Sequence, residues 1–210
     1  MTFPFVIPSA RRFLFNRDDE ESAVFFSSHH PATVPSMPHH LETDRLWLSE
    51  WSLSDFGDSR PIFIDPLVMR YISGGQALPN DKIREFIERQ QNHFRSRGFC
   101  LWKLLLKPQA RFVGFCGLQP LELDGASEVE IGWRLINDQW GRGLATESAR
   151  AAVRQAVEHA RLARVIAIAM PENRASLRVM EKLGMKYERA TQKGGFSVVV
   201  YSCGPGVALR

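Results

Sequence analysis

The sequence predicts an α+β fold, a mixed αβα arrangement whose mostly antiparallel sheet contains one parallel βαβ crossover. Two observations carry this. Strand-like runs at Phe99 to Leu106, Arg111 to Leu118 and Glu128 to Ile136 follow one another across short turns, so they pair as an antiparallel meander. The last of them passes through a glycine-bearing turn into an amphipathic helical segment, Ala145 to Arg161, and then into the apolar run Arg164 to Met170. A strand, helix and strand in that order return parallel.

The other elements follow from local pattern. Arg45 to Glu50 alternates Leu46 and Leu48 with polar residues and reads as a first strand. Ser54-Asp55 is placed to cap a short helix around Phe56, which Pro61 should limit. Gly74-Gly75 marks a turn. Asp81 then caps a helix with Ile83, Phe86, Ile87, Gln90 and Phe94 on one face, ending near Gly98. Lys107 to Ala110 and Asp124-Gly125 are the meander's turns. The crossover helix carries Ala149, Ala152, Val153, Ala156, Val157 and Ala160 on one stripe, small enough for close packing on a sheet. Asn173 to Leu183 is a short helix stopped by Gly184. Met185 to Glu188 and Phe196 to Ser202 close the sheet.

Length and composition bound the function. A chain of 210 residues, 44% hydrophobic, supports one domain with a substantial core. We divide it into a poorly ordered extension, residues 1–40, and a single domain, residues 41–210. The extension has five prolines, the acidic cluster Asp18 to Glu21 and no sustained period. It lacks the apolar core of a secretory signal, and a translation start at Met37 would place the domain near the N-terminus. The net charge of +4 is scattered, so nucleic acid is not expected as a partner. No apolar run approaches the ~20 residues of a membrane span. Cys100, Cys116 and Cys203 show no metal or redox spacing and read as reduced thiols of a cytoplasmic protein. His29-His30 and His39-His40 read as solvated tail residues, and no metal is expected.

The run Trp140-Gly141-Arg142-Gly143-Leu144-Ala145-Thr146-Glu147 is the most informative stretch. A strand feeding a glycine turn feeding a helix start presents unpaired backbone N–H groups and the positive end of a helix dipole, an anion site. Gly141 and Gly143 let a phosphate approach the backbone. Arg142 and Thr146 can add donors. It is not a Walker loop, because no Gly-Lys-Ser/Thr follows. A dinucleotide fingerprint needs Gly or Ala where Thr146 stands, and only Glu172 could imitate its acidic partner.

Together with Asn173-Arg174-Ala175-Ser176 and Glu181-Lys182-Leu183-Gly184, this loop closely resembles the two coenzyme-A motifs of the GNAT superfamily of acyl-CoA-dependent N-acetyltransferases. Leu41 to Leu48, Asp65 to Tyr71 and Glu130 to Trp133 resemble its RimJ/RimL-like branch, and the likeness runs from about Leu41 to Tyr201 in the family's order. The resemblance implies a splayed parallel strand pair whose gap takes the pantetheine arm, paired to backbone near Trp133, Leu135 and Ile136. It also implies acetyl-CoA as co-substrate, with Arg142, Gly143, Leu144, Ala145 and Thr146 on the pyrophosphate. Asn173 and Ser176 fall on the pantetheine side. The implied acceptor is a primary amine, on a protein N-terminus or a small molecule; a homodimer stays open.

Direct acyl transfer needs a base for the amine and a proton for the leaving thiolate. Met180 stands where many members carry an acidic Tyr, and methionine cannot donate. In the resembled branch the suggested donor matches Ser176. Ser176 could equally be a local backbone partner, and Asn173 a helix cap. Glu128 and Glu130 share one strand face. Glu130 is the candidate base, with a salt bridge to Arg134 or to a neighbouring strand as the structural alternative. Glu147 reads as a dipole partner. The acceptor is expected near the Tyr71 to Ala77 loop, Trp51, Phe99 and Tyr201, although Trp51 suits the core better. Met180 also leaves open a non-catalytic acyl-CoA-binding or sensor module.

Overall fold

The structure, a computed structural model, describes residues 40–158 and 161–204. The expectations for residues 1–39, including Met37 and His29, His30 and His39, lie outside the described residues, as do Ala160 and the side chain of His40.

Eight strands form one sheet in the order β1-β2-β3-β4-β5-β6-β8-β7. They are β1 His40–Glu42, β2 Leu46–Ser49, β3 Leu101–Leu106, β4 Arg111–Leu123, β5 Ala126–Leu135, β6 Val165–Ala169, β7 Lys186–Lys193 and β8 Phe196–Cys203. The helices are α1 Phe56–Ile64, α2 Pro66–Met69, α3 Asn80–Arg97, α4 Leu144–Glu158 and α5 Arg174–Lys182. All neighbouring strands are antiparallel except β5 and β6. This is the predicted α+β architecture.

Three local expectations need correction. Pro61 does not limit α1, which runs through it to Ile64 and closes with the Asp65 amide on the Pro61 carbonyl at 3.2 Å. The cap upstream is Ser52, in a capping box with Asp55 around a 3-10 turn at Leu53–Asp55, rather than Ser54. Asp81 lies inside the first turn of α3 instead of capping it, since Pro79 holds the N-cap position. The short elements β1 and α2 were not legible because each is too short to show a period.

The sheet's two faces are covered differently. On one, α1 and α3 contribute Ile62, Phe63, Ile83, Phe86 and Ile87, packed with Trp51, Leu101 and Phe115. On the other, Ala149, Ala152 and Ala156 of α4 are fully buried in the larger core cluster. That stripe of small side chains lets the helix sit close to the sheet. The helix begins one residue before the expected Ala145, and Arg161 has a left-handed φ of 51°, so no helix includes it.

The functional consequence lies between β5 and β6. Their register has one pair, Glu130↔Ile166. Beyond it β5 continues to Leu135 on β4 alone, and β6 continues to Ala169 on β8 alone. The strands therefore part toward their C-terminal ends, and a cavity of about 220 Å³ opens there.

Two glycines in β4 permit the close β3–β4–β5 packing that frames this opening. A Cβ on Gly114 would stand 2.1 Å from the Arg134 carbonyl oxygen, and one on Gly117 would stand 2.1 Å from that of Cys100. Both contacts are with backbone, which cannot step aside. Gly117→Ala is therefore expected to lose more than about 2 kcal/mol of stability, from overpacking and an unfavourable φ. Urea denaturation measures this; a wild-type midpoint would refute the packing account.

Candidate functional site

The loop after β5 has the geometry an anion requires. Gly141 and Gly143 adopt φ of 74° and 79°. The Gly143 carbonyl accepts the Glu147 amide at 3.0 Å, so the amides of Leu144, Ala145 and Thr146 precede the first helical hydrogen bond. The Arg142 guanidinium donates to Gln139 Oε1 at 2.6 Å, bracing the turn that leads into the loop.

Arg45, which the sequence did not single out, organises this region. Its guanidinium donates to the Arg142 carbonyl at 2.9 Å and to Glu147 at 2.6 Å. Glu147 also accepts from the Thr43 hydroxyl at 2.6 Å and the Arg45 amide at 3.0 Å. Partial burial works against the carboxylate. The bonds from Thr43 and Arg45 outweigh it and hold the Glu147 carboxyl below its usual range. Glu147 is thus more than a dipole partner: it ties the β1–β2 turn to the start of α4. Beside the loop a wider cleft of about 680 Å³ is lined by Arg45, Thr146, Arg150, Arg154 and Lys182, among others. Glu42, Asp44 and Glu147 line it too, so its charge is mixed, and only the fold brings these residues together from separate elements.

The 220 Å³ cavity holds the other predicted residues. Glu130, Gly132 and Trp133 of β5 line one wall, and Ile168 and Ala169 of β6 the other. Asn173 and Ser176 line it from the start of α5. Asn173 is the N-cap of α5, its Oδ1 accepting the Ser176 amide at 3.2 Å. The capping expectation for Asn173 therefore holds, and its position on the cavity wall is an additional property. The Ser176 hydroxyl is half-buried on the same wall. Met180 is buried in the core.

The three backbone positions expected near pantetheine separate. The Ile136 amide is committed to the Val113 carbonyl at 3.0 Å. By strand alternation the main-chain groups of Trp133 and Leu135 then point away from β4, toward the gap. There the Leu135 carbonyl accepts the Trp140 indole N–H at 2.9 Å.

Glu130 stands at the apex where the strands part. It is 9% exposed and accepts one hydrogen bond, from Gln119 Nε2 at 2.8 Å. Burial pushes its pKa up to about 7; the Gln119 bond and the charge of Lys193 oppose the rise without cancelling it. The alternative of a Glu130–Arg134 salt bridge is not what the structure shows. Arg134 instead lies over Phe115 and Phe63, with Nη1 3.5 Å from Met69 Sδ. Glu128, the other carboxylate of that strand, is paired with Arg164 at 3.1 Å.

The acceptor expectations divide as well. Tyr71 and Ile72 line the cavity, joined by Phe86, Arg89 and His93 of α3. Trp51 belongs to the core, its indole N–H on the Leu101 carbonyl and its ring edge-on to Phe86. Phe99 is also core, and Tyr201 packs edge-on against Tyr187 on the outer strands. His93 and Arg89 were missed: His93 sits on the buried face of an ordinary amphipathic helix, and nothing in the period marks either as lining a cavity.

The sheet order, the single parallel pair that parts and the phosphate-ready helix start define a known class. The acetyltransferase (GNAT) domain family matches residues 45–186, more than half of the chain, and the chain belongs to that family. It is 33% identical over 140 residues to the uncharacterized protein YkkB of Bacillus subtilis (strain 168), covering 67% of this chain and 80% of that one. It is 31% identical over 162 residues to an FsC-acetyl coenzyme A-N(2)-transacetylase of Aspergillus fumigatus, covering 74% and 68%. The crystal structure of a GNAT-family acetyltransferase from Bacillus anthracis shares the fold, with a TM-score of 0.66, 24% identity and coverage of 79% and 98%. Among the described residues, no cluster of His, Cys, Asp or Glu could hold a metal and no helix is long and apolar enough to cross a membrane.

A carboxyl whose folded pKa is raised binds its proton more tightly in the native state, so stability falls as pH rises from about 4.5 to about 7. Above that window the cost is on the order of 3 kcal/mol. Glu130→Gln keeps an acceptor for Gln119 and removes the charge. It is expected to melt several degrees above wild type at pH 8 and close to it at pH 4.5. Thermal denaturation at both pH values checks this; equal shifts at the two would mean that Glu130 is not desolvated.

Proposed function

We propose that residues 41–210 act as one acetyl-CoA-dependent N-acetyltransferase domain. It moves an acetyl group to a primary amine by direct attack, with Glu130 as general base. The observation that carries this is Glu130 itself: a buried carboxyl poised near neutrality at the apex of the strand gap. A base with a pKa close to working pH combines a useful ionised fraction with a real driving force for taking a proton.

The chain's residues divide the work. The amides of Leu144, Ala145 and Thr146, with Gly143 and Arg142, hold the pyrophosphate at the start of α4. Arg45 keeps that loop in place through the Arg142 carbonyl. Trp133 and Leu135 offer backbone to the pantetheine arm, and a β5 amide faces the thioester oxygen. Ile136 contributes through the loop's shape, since its own amide bonds β4. Asn173 fixes the first turn of α5, from which the Ser176 hydroxyl delivers a proton to the departing thiolate. Coenzyme binding is supported by the Aspergillus relative, whose name specifies acetyl coenzyme A. Assignment to the RimJ/RimL-like branch rests on the motifs at Leu41 to Leu48, Asp65 to Tyr71 and Glu130 to Trp133. The protein is read as cytoplasmic, where its three buried cysteines remain thiols.

Calorimetry with acetyl-CoA tests the donor site. Micromolar binding is expected, together with its loss in Gly143→Glu, whose side chain occupies the phosphate position; equal binding by a folded variant would discard the loop. For the base, wild-type kcat/KM should rise with pH through about 7 and then level, since only ionised Glu130 accepts a proton. Glu130→Gln should lose this inflection and at least about tenfold in rate above it. An unchanged profile would assign Glu130 a structural role. Ser176→Ala should lower kcat more than it weakens acetyl-CoA binding, and an unchanged kcat would remove Ser176 from the chemistry.

A further inference from the structure

Arg134 is the unusual residue of the cavity. Its guanidinium is held by two aromatic faces, with ring centroids at 4.9 and 5.5 Å, and by a thioether. Among the described residues, none of its contacts is a carboxylate. Arg134 is half-buried, and a guanidinium that has lost part of its water with no carboxylate beside it is stabilised when an anion joins it. The loss of solvent lowers its pKa to about 9, which still leaves it charged at neutral pH.

Its placement points to a ligand. Glu130, Gly132 and Arg134 share one face of β5, and Gly132 interposes no side chain between the other two. All three line the 220 Å³ cavity. Four residues of strand span roughly 13 Å, so side chains converging into one cavity leave a few bonds between a group at Glu130 and a group at Arg134. His93 lines the same cavity, is 7% exposed and has, among the described residues, no partner for Nδ1. Burial, with Arg89 and Arg97 nearby, lowers its pKa to about 4, so it is a neutral polar group there. Arg89 and Lys193 add positive charge to the walls, against the carboxylate of Glu122.

We infer that the acceptor is an amine that also carries a carboxylate: Arg134 binds the carboxylate while Glu130 receives the amine proton. This rests on the acetyltransferase reading above and narrows its substrate. The amine nitrogen forms a bond to the acyl carbon, the carbon–sulfur bond breaks, and the carboxylate stays unchanged, bound to the guanidinium. The carboxylate is borne either by a free amino acid or by an acidic residue behind a peptide's N-terminus.

The test uses matched acceptors with acetyl-CoA and the full-length protein. One set is amino acids with progressively longer methylene chains between amine and carboxylate, each beside its carboxamide. The other is short peptides with Glu or Gln behind the N-terminus. The carboxylate member of at least one pair is expected to show about tenfold or more higher kcat/KM, the scale of a charge-assisted bond. The set that responds identifies the source. Arg134→Met should abolish the difference and Arg134→Lys restore part of it, with melting curves confirming that each is folded. If amines react but carboxamides do as well as carboxylates in wild type, or the preference survives in Arg134→Met, the inference is overturned and the acetyltransferase reading stands. If acetyl-CoA binds and no amine of any kind reacts, both fall. The wild-type comparison needs no variant, so it decides the matter even if Arg134→Met fails to fold.

Discussion

The parting of β5 from β6 after one parallel pair is the constraint around which the molecule is arranged. Strands normally continue pairing because unpaired backbone N–H and C=O groups are costly. Here each strand keeps its other neighbour, β4 or β8, so the sheet survives the opening. On the freed side the Leu135 carbonyl is met by the Trp140 indole, and the chain turns at Gly141 and Gly143 into α4. The three alanines buried under α4 bring that helix close to the sheet, placing its positive end beside the gap.

Around this opening the protein holds ionisable groups that would be more stable in water. Among the described residues, Glu130 has a single hydrogen-bond donor, Arg134 has aromatic rings and a thioether, and His93 has an unpartnered nitrogen. Away from the cavity, several carboxylates and guanidinium groups pair with one another. Glu128, Arg164, Glu188 and Arg189 form a continuous ladder across the outer strands. The contrast separates surface charges that serve stability from cavity charges whose pKa values are moved by desolvation.

Legibility varied with how local each cause was. The loop from Trp140 to Glu147 was readable because its geometry resides in consecutive backbone amides and in glycines at positive φ. The stripe of Ala149, Ala152 and Ala156 was readable from helical spacing. Local rules misled at Pro61 and Asp81. Pro61 is tolerated well inside α1, where tertiary packing buries Ile62 and Phe63 on either side of the next turn. Asp81 lies two residues past the cap because Pro79 fixes the helix start. Trp51 is in the core, as its sequence context favoured, and Phe99, an acceptor candidate, is turned into the core as well.

The sequence by itself determined the α+β class, the parallel crossover, the phosphate-ready loop and the nomination of Glu130 and Ser176, since these depend on period, turn residues and short contiguous motifs. Only the tertiary structure decided that Glu130 meets Gln119 rather than Arg134, that Arg45 straps the loop through Glu147, and that Arg134 and His93 face the same cavity. Those facts depend on side chains brought together from distant segments and on how much water each retains, and neither quantity is written in the order of residues along the chain.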